Sequence, residues 1–366
     1  MRILIRGPVD PYTGYGRDVI GLTEALLDAR VDVSLWPLSI APGVPDRVAG
    51  LLSRPLDPEY DAVVWYAPPE SIQPWSMYGW GRVQLGWTMW ERTPFHGHNI
   101  DWWDTDSPDL QRGHVWSRRY LQRDTSIKGW LDALIVTCRM NVDAFAHIEK
   151  HLPIEVIPPG VDVDNYPVAT REASGPFRFG WVGVPSARKA LPTMLDAWCQ
   201  FRDARAEVDA VLEVKTSGVG AGVVEAARTR DVMVHRDTWS TKQLAAWYGS
   251  LDALVSVSRG EGMNKPAVEA MATGTPVIAP RWGGHENWLY PEVGYPVEFE
   301  VSPSPIEADT VDCTVDAANV ARVLGEVVDH PEERDRKGHA AANLVRSSMT
   351  WPQAAEKLLH VAARHL

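Results

Sequence analysis

The sequence is poor in cysteine and has no long apolar run. Its 366 residues include three cysteines, Cys138, Cys199 and Cys313, odd in number and far apart in the chain. That spacing argues against a disulfide framework and against a zinc-binding cysteine cluster. No apolar stretch reaches transmembrane length, and the opening residues Met1–Ile5 are too short for a signal peptide and predict a strand. The cytoplasm is therefore the expected location.

Positive charge is also scarce. Thirty-six lysines and arginines stand against 48 aspartates and glutamates, so the formal net charge is −12. A chain this acidic is not expected to bind nucleic acid or anionic membranes over a broad surface. The 45% hydrophobic and 23% charged content is that of a globular protein. Because the chain is longer than one typical hydrophobic core requires, we expect two domains.

One stretch has the pattern of a unit of a parallel α/β sheet. An apolar strand at Leu251–Val257 leads into a glycine-containing loop, and Pro266 suits the first turn of a helix. The helix is predicted over Ala267–Ala272 and the next strand over Thr275–Ala279, before a loop that begins at Gly283. Ligands of such sheets bind at the carboxyl ends of the strands.

Two carboxylates stand in this unit, Glu261 in the loop and Glu269 in the helix. Free N–H groups at the helix start favour an anion such as a phosphate. A cation at a helix N-terminus is normally unfavourable, so Lys265 is better explained if an anion binds there. A carboxylate one turn into the helix can accept hydrogen bonds from a vicinal diol such as ribose. The alternative is a solvated helix start with two surface glutamates.

The stretch resembles the retaining glycosyltransferases of the GT-B fold, in particular glycosyltransferase family 4, also called group 1. In that family two glutamates with seven residues between them are followed by Ala-Met-Ala, Gly-x-Pro-Val-Ile and Gly-Gly. The residues in register here are Glu261, Glu269, Ala270-Met271-Ala272, Gly274, Pro276-Val277-Ile278 and Gly283-Gly284. The resemblance implies an α/β protein with two Rossmann-like domains facing a central cleft and a C-terminal helix crossing back to the first domain.

This resemblance gives a domain division and a reaction. Residues 1–167 are the expected acceptor-side domain, residues 168–348 the nucleotide-sugar-binding domain, and residues 349–366 the crossing helix. The implied reaction is retaining transfer of a sugar from a nucleotide-diphosphate sugar to an acceptor hydroxyl, without a metal or other cofactor. The donor base, the sugar, the acceptor and the oligomeric state stay open.

The expected donor site centres on the loop before the helix. By resemblance, Glu261 contacts the hydroxyls of the donor sugar and is catalytic, and Glu269 holds the ribose. The residues of the loop and helix start that would face the diphosphate are Gly262, Met263, Asn264 and Lys265. Asn264 stands where the family often has glycine, which leaves a backbone role intact but changes how the sugar fits.

A second segment supplies the expected cations. Family members commonly carry Gly-Arg and, several residues later, a lysine, all near the diphosphate. Gly183 and Lys189 match, whereas Val184 replaces the arginine and Arg188 is the candidate substitute. Lys189 is therefore a further catalytic candidate, since a diphosphate leaving group needs cations where no metal is present. Lys215, at the carboxyl end of a predicted strand, is expected near the cleft.

The first domain opens with a strand, a glycine loop and a helix predicted over Asp18–Ala29. Gly14 and Gly16 in the loop allow close approach of the backbone to a ligand, and in the family the matching loop borders the cleft. A plain turn is an equally good interpretation of these two glycines.

Glu91 is the remaining catalytic candidate. It follows the predicted strand Val83–Trp90, at a point where many family members carry a functional histidine or glutamate. The alternative is a carboxylate paired with Arg92. His96 and His98, a few residues further on, are substitutes for the same role.

Three other functions fit the same residues less well. One is a related GT-B enzyme, either a glycoside phosphorylase or a nucleotide-sugar epimerase. Another is a non-catalytic sugar-nucleotide-binding subunit, favoured by Val184 and disfavoured by Glu261 and Glu269. The last is a transferase that modifies a macromolecule such as a glycan, a protein or a hydroxylated DNA base, although the acidity of the chain disfavours DNA.

Overall fold

The computed structural model describes residues 1–68, 71–72, 79–91, 93–94, 131–145, 152–170, 175–305 and 310–366. Two compact units form within these ranges, one from Met1–Gly160 with Met349–Leu366 and one from Val161–Ser348. Within the same ranges, no helix is both long and apolar enough to cross a membrane.

The first unit alternates strands and helices. Its elements are β1 (Arg2–Val9), α1 (Gly14–Asp28), β2 (Asp32–Ile40), α2 (Asp46–Leu52), β3 (Tyr60–Tyr66), β4 (Gly81–Thr88), β5 (Thr93–Pro94), β6 (Ala133–Val136), α3 (Arg139–Phe145), β7 (Ile154–Val156) and, from the end of the chain, α10 (Trp351–His365).

All of these strands except β5 form a six-stranded parallel sheet in the order β2-β1-β3-β4-β6-β7. The order reverses between β1 and β3, and a parallel sheet binds ligands outside the carboxyl ends of its strands at such a switch point. Side chains alternate across β1, so Ile3 and Ile5 enter one core while Leu4 enters the other. The first core lies under α1 and α10, whose apolar faces it buries.

The C-terminal helix packs against α1 through a tryptophan. Trp351 is buried, and a methyl group added to Gly21 in the middle of α1 would lie 2.2 Å from its indole nitrogen. A methyl group on Gly160 would lie 2.3 Å from the backbone nitrogen of the same tryptophan. The two glycines leave the space that Trp351 fills, which explains why the last helix belongs to the first unit.

The second unit has the same alternation. Its elements are β8 (Phe177–Val182), α4 (Leu191–Ala204), β9 (Ala210–Lys215), α5 (Ala221–Ala226), β10 (Val232–His235), α6 (Thr241–Ser250), β11 (Ala253–Val255), α7 (Lys265–Ala272), β12 (Val277–Pro280), β13 (Gly294–Val297), β14 (Phe299–Pro303), β15 (Thr310–Val315), α8 (Ala317–Asp329) and α9 (Pro331–Ser348), with 3-10 turns at Val163–Asn165 and Gly283–Asn287.

The main sheet of this unit is also parallel, in the order β10-β9-β8-β11-β12-β13. Its switch point lies between β8 and β11. Strands β14 and β15 form an antiparallel pair beside it. The predicted fold class, α/β with two Rossmann-like domains, is thereby confirmed.

The segment Val161–Pro167 lies in the second unit, whereas the sequence-based division assigns it to the first. The ring of Tyr166 packs 6.3 Å from that of Tyr248, centroid to centroid, and its carbonyl accepts a hydrogen bond of 2.8 Å from Arg346. Both partners belong to the second unit, and this packing holds the segment there.

Candidate functional site

The candidate site lies at the switch point of the second sheet. The loop after β8 carries Arg188 and Lys189, and the loop after β11 carries Glu261. Strands β8 and β11 are adjacent and parallel, so their carboxyl ends bring the two loops to the same edge of the sheet. Residues far apart in sequence become neighbours for this reason.

Three charged side chains meet at this edge. The ammonium of Lys189 lies 2.5 Å from one oxygen of Glu261, and the guanidinium of Arg188 lies 3.1 Å from the other. Arg188 also donates a 2.7 Å hydrogen bond to the carbonyl of Gly260. The cations are mostly covered, with side chains 18% and 14% exposed, and the carboxylate is 5% exposed. Two cations therefore meet one carboxylate at this edge of the sheet.

The cations decide the ionisation of the carboxylate. Burial by itself would raise the pKa of Glu261, but Lys189 and then Arg188 outweigh it and hold the pKa at about 2. Glu261 is therefore an anion throughout the physiological pH range. It can accept hydrogen bonds from a ligand hydroxyl, but it cannot serve as a proton donor at neutral pH.

The turn after β12, Gly283–Asn287, holds the loop that carries Glu261 in place. The N–H of Gly284 donates a 2.8 Å hydrogen bond to the carbonyl of Glu261, and the indole N–H of Trp288 donates one of 3.1 Å to the carbonyl of Met263. A methyl group on Gly284 would lie 2.5 Å from the carbonyl group of Gly262. The backbones approach so closely that only glycine fits at position 284, which accounts for the second glycine of the Gly-Gly pair.

A buried polar network joins the same two segments. Asn264 uses its side-chain N–H groups twice, donating to Ser256 Oγ and lying against His285 Nε2, both at 2.8 Å. His285 Nδ1 lies 2.7 Å from the carbonyl of Pro280. Ser256 in turn donates to Ser258 over 3.4 Å. All of these side chains are buried.

The network fixes the protonation state of His285. A carbonyl oxygen only accepts, so Nδ1 carries a proton, and Nε2 must then accept from the amide of Asn264. Burial lowers the pKa of His285, and the carboxylate of Glu261 opposes that shift only in part. The ring is accordingly neutral, with one defined tautomer.

Helix α7 begins in an unusual backbone conformation. Asn264 precedes its first residue, Lys265, with φ of 61° and ψ of 62°, in the left-handed region that glycine and asparagine tolerate best. One turn further on, Glu269 is buried and accepts a 3.3 Å hydrogen bond from the hydroxyl of Tyr248. The predicted ribose-binding carboxylate thus has a tyrosine beside it that sequence reasoning did not identify.

Lys215 is placed differently from the other predicted cations. Its ammonium donates a 2.7 Å hydrogen bond to the carbonyl of Asp237 and lies 4.8 Å from the centre of the Trp239 ring. Burial lowers its pKa, with Asp237 opposing the shift. Lys215 therefore lies at the carboxyl ends of β9 and β10. Within the described part of the chain it forms no ion pair with Glu261.

The expected glycine–arginine pair is half present. The N–H of Gly183 donates a 3.1 Å hydrogen bond to the carbonyl of Lys215, and a methyl group here would lie 3.4 Å from the side chain of Lys189. Val184 is 60% exposed and cannot contribute a charge. Arg188 supplies instead the second cation beside Glu261.

The remaining predicted residues lie in the first unit. Gly16 lies at the start of α1, where its N–H donates a 3.2 Å hydrogen bond to Oγ1 of the capping residue Thr13, and a methyl group would lie 2.2 Å from the carbonyl oxygen of Asp10. Its close approach is thus to the chain's own backbone. Gly14 has open space around its Cα, with no described atom within 4 Å of an added methyl group.

Glu91 follows β4 and is half-buried. The backbone of the preceding residue, Trp90, is held at both ends by Asn141, which accepts from its N–H at 3.2 Å and donates to its carbonyl at 2.7 Å. The alternative partner of Glu91, Arg92, and the substitutes for its role, His96 and His98, lie outside the described residues. The catalytic role of Glu91 stays a prediction.

Sequence reasoning missed the residues that support the site. The sequence predicts that the backbone of Asn264 faces the diphosphate, but it does not predict the bonds of its side chain, and it gives no role to His285, Trp288 or Tyr248. The signal for His285 was its place directly after Gly283-Gly284. Its bond to a residue 21 positions earlier could not be inferred from that place.

The fold defines the class of protein. Solved glycosyltransferase-type structures superpose on the whole chain: sucrose-phosphate synthase from Thermosynechococcus elongatus with a TM-score of 0.67 and 18% identity, over 100% of this chain and 99% of that one. The HepE protein of Anabaena in complex with UDP-glucose superposes with a TM-score of 0.68 and 12% identity, over 100% of both chains. At these identities the likeness shows the fold, which is GT-B.

The family model for glycosyl transferases group 1 matches residues 176–300. This range contains Arg188, Lys189, Glu261 and Glu269. The predicted resemblance to GT-B group 1 glycosyltransferases is therefore confirmed.

Curated relatives agree with this family. A D-inositol 3-phosphate glycosyltransferase of Arthrobacter sp. (strain FB24) is 29% identical over 219 residues, 55% of this chain and 48% of the relative. An MMP alpha-(1->4)-mannosyltransferase of Mycolicibacterium hassiacum is 27% identical over 212 residues, 57% of this chain and 47% of the relative. The chain spans about half the length of the curated relatives it matches.

Proposed function

We propose that the protein is a retaining glycosyltransferase that moves a sugar from a nucleotide-diphosphate sugar to an acceptor hydroxyl without a metal ion. The observation that carries the proposal is the contact of Lys189 and Arg188 with Glu261 at the switch point of the second sheet. The relatives named as glycosyltransferases and the HepE structure with UDP-glucose support it.

The charges suit a diphosphate leaving group. In the reaction the bond between the anomeric carbon and the diphosphate oxygen breaks, and a bond from that carbon to the acceptor oxygen forms. Negative charge develops on the diphosphate, and the cations Arg188 and Lys189 would stabilise it there. The proton of the acceptor hydroxyl leaves with the diphosphate, on the same face of the sugar, which accounts for retention.

The two glutamates would bind different parts of the donor. Glu261 is anionic and buried, so it would accept hydrogen bonds from sugar hydroxyls while its cations turn toward the diphosphate. Glu269, one turn into α7, would accept from the ribose hydroxyls, with Tyr248 orienting its carboxylate. The backbone from Gly262 to Lys265 would face the phosphates, held in place by Gly284 and Trp288.

A thermal-shift screen tests donor binding. The full chain is mixed with UDP-, GDP-, ADP- and TDP-sugars, each with and without EDTA. A bound donor raises the melting temperature by mass action. A shift that EDTA leaves unchanged supports a metal-independent donor site. No shift with any of the four refutes the donor proposal as framed here.

Matched variants locate the donor. Lys189→Met removes a cation of the site, and Lys242→Met removes an exposed lysine on α6 of the same unit. We expect the first variant to lose at least about tenfold in donor affinity, because a charge-assisted bond to phosphate is lost. The second should bind as the parent does. Equal affinity in both variants would place the donor elsewhere.

The stereochemistry is tested separately by proton NMR of the first product formed from an α-linked donor. An α-linked product supports retention. A β-linked product contradicts it while leaving the glycosyltransferase proposal standing. Dependence of turnover on inorganic phosphate would instead indicate a phosphorylase.

A further inference from the structure

An arginine of the first unit has a charge that no described carboxylate balances. Arg6 lies on β1, and its guanidinium carbon lies 4.6 Å from the centre of the Trp36 ring and 5.5 Å from that of Trp65. Trp36 packs in turn on Trp80, with ring centres 5.0 Å apart. Arg6 is thus a cation set in a group of indole rings.

The hydrogen bonds of this guanidinium are few. Nη1 donates one long bond of 3.4 Å to the carbonyl of Trp36. Nε is buried and has no hydrogen-bond partner. Burial lowers the pKa of Arg6, which is the opposite of what a paired carboxylate would do. The side chain as a whole is only partly buried.

Arg2 provides a comparison within the same strand. Side chains two and four residues apart share a face of a strand, so Arg2 and Arg6 lie on the same side of β1. Arg2 also covers an aromatic ring, that of Tyr60, at 4.8 Å. Its charge, however, is matched by Asp57 at 3.1 Å and by Asp32 at 3.7 Å. The arginine at the amino end of β1 is neutralised, and the one nearer the carboxyl end is not.

Arg6 lies in the carboxyl-terminal half of β1, the strand next to β3. It is paired in register with Trp65, the penultimate residue of β3. The order of the first sheet reverses between β1 and β3, and ligands of such sheets bind at the carboxyl ends of the strands at that point. A planar guanidinium binds phosphate or carboxylate through paired hydrogen bonds.

We propose that Arg6 is an anion-binding residue of the first unit and that its ligand is a small molecule carrying a phosphate or a carboxylate group. The indoles of Trp36 and Trp65 hold the guanidinium in place, so the ligand meets a preorganised cation. The inference needs only the first unit and does not rest on the donor site in the second.

The test is calorimetric titration of the full chain with inorganic phosphate and, separately, with succinate, at constant ionic strength set with chloride. Arg6→Met removes the charge and keeps an apolar side chain against the indoles. Arg2→Met does the same at the neutralised position. We expect Arg6→Met to weaken binding of one of the two anions about tenfold or more and Arg2→Met to leave it unchanged. Which anion responds identifies the group.

Labelling of arginines with phenylglyoxal, mapped by mass spectrometry, provides a second readout on the unmodified sequence. The anion should protect Arg6 and leave Arg2 unprotected, while protection of Arg188 reports on the second unit separately. This readout also covers the case in which Arg6→Met fails to fold. Binding that is unchanged in a folded Arg6→Met variant, or weakened equally in both variants, overturns the proposal. So does labelling of Arg6 that neither anion alters.

Discussion

The side-chain amide of Asn264 donates to Nε2 of His285 over 2.8 Å, joining the loop that carries Glu261 to the turn after β12. The pair has two conformational consequences. The left-handed backbone of Asn264 sets the start of α7, and its amide fixes the tautomer of the histidine, which burial keeps neutral. Loop position and histidine tautomer therefore depend on one residue.

Replacing Asn264 should separate the two effects. Glycine adopts the left-handed backbone without strain, but Asn264→Gly removes the hydrogen bonds to Ser256 and His285. We therefore expect this variant to lose about 1–3 kcal/mol in the free energy of unfolding. Asn264→Ala adds the strain of a left-handed alanine, about 1–2 kcal/mol more. Urea denaturation of both variants measures the difference. If alanine is as stable as glycine, the backbone at this position is not left-handed in solution.

The neutral state of His285 predicts a pH dependence of stability. Its pKa is lowered in the folded protein from the usual 6.5, so below that pH the unfolded chain takes up a proton that the folded chain refuses. Stability should therefore fall as pH drops from 6.5 toward the folded pKa, by up to about 1.4 kcal/mol per pH unit.

His285→Gln removes this titration while retaining a hydrogen-bonding amide. The difference in unfolding free energy between the parent and this variant should shrink as the pH falls below 6.5. Urea denaturation at half-unit steps measures it. If the unfolding free energies of the two proteins change in parallel with pH, His285 has the same pKa in the folded and unfolded states, which contradicts the prediction.

The ionisation of Glu261 predicts a second pH range, at more acidic pH, over which the stability of the protein changes. Its folded pKa of about 2 lies below the ordinary 4.5, so the folded protein favours the carboxylate. The resulting stability is fully present above pH 4.5 and is lost as the pH falls toward 2, about 3 kcal/mol in total. Glu261→Gln should lack this part of the acid transition, and denaturation of both proteins from pH 5 to 2.5 checks it. Identical acid slopes would contradict the ion cluster.

Two helical glycines test the packing of the last helix. Gly21→Ala places a methyl group against the indole of Trp351 and should destabilise the protein by about 1–3 kcal/mol. Gly50→Ala in α2 meets no described atom within 4 Å and should stabilise it by about 0.5–1 kcal/mol, because alanine is the better helix former. Thermal unfolding of both variants gives the signs. Stabilisation by Gly21→Ala would show that α10 does not pack there.

Local patterns predicted the elements well. The sequence places the final helix in residues 349–366, and it runs over Trp351–His365, because its apolar residues recur with helical spacing and Pro352 suits a first turn. Helix α1 starts at Gly14, four residues before the predicted Asp18, because the hydroxyl of Thr13 caps it. A cap depends on one side-chain bond, which apolar periodicity does not report.

The sequence by itself determined the class of fold, the alternation of strands and helices, and the residue types at the candidate site. The spacing of Glu261 and Glu269 and the glycines around them were enough for that. Only the tertiary structure decided the partners: Arg188 and Lys189 with Glu261, and Asn264 with His285. The reason is physical. Apolar periodicity records which side of an element is buried, whereas a contact across a sheet edge depends on strand order, which only the folded chain shows.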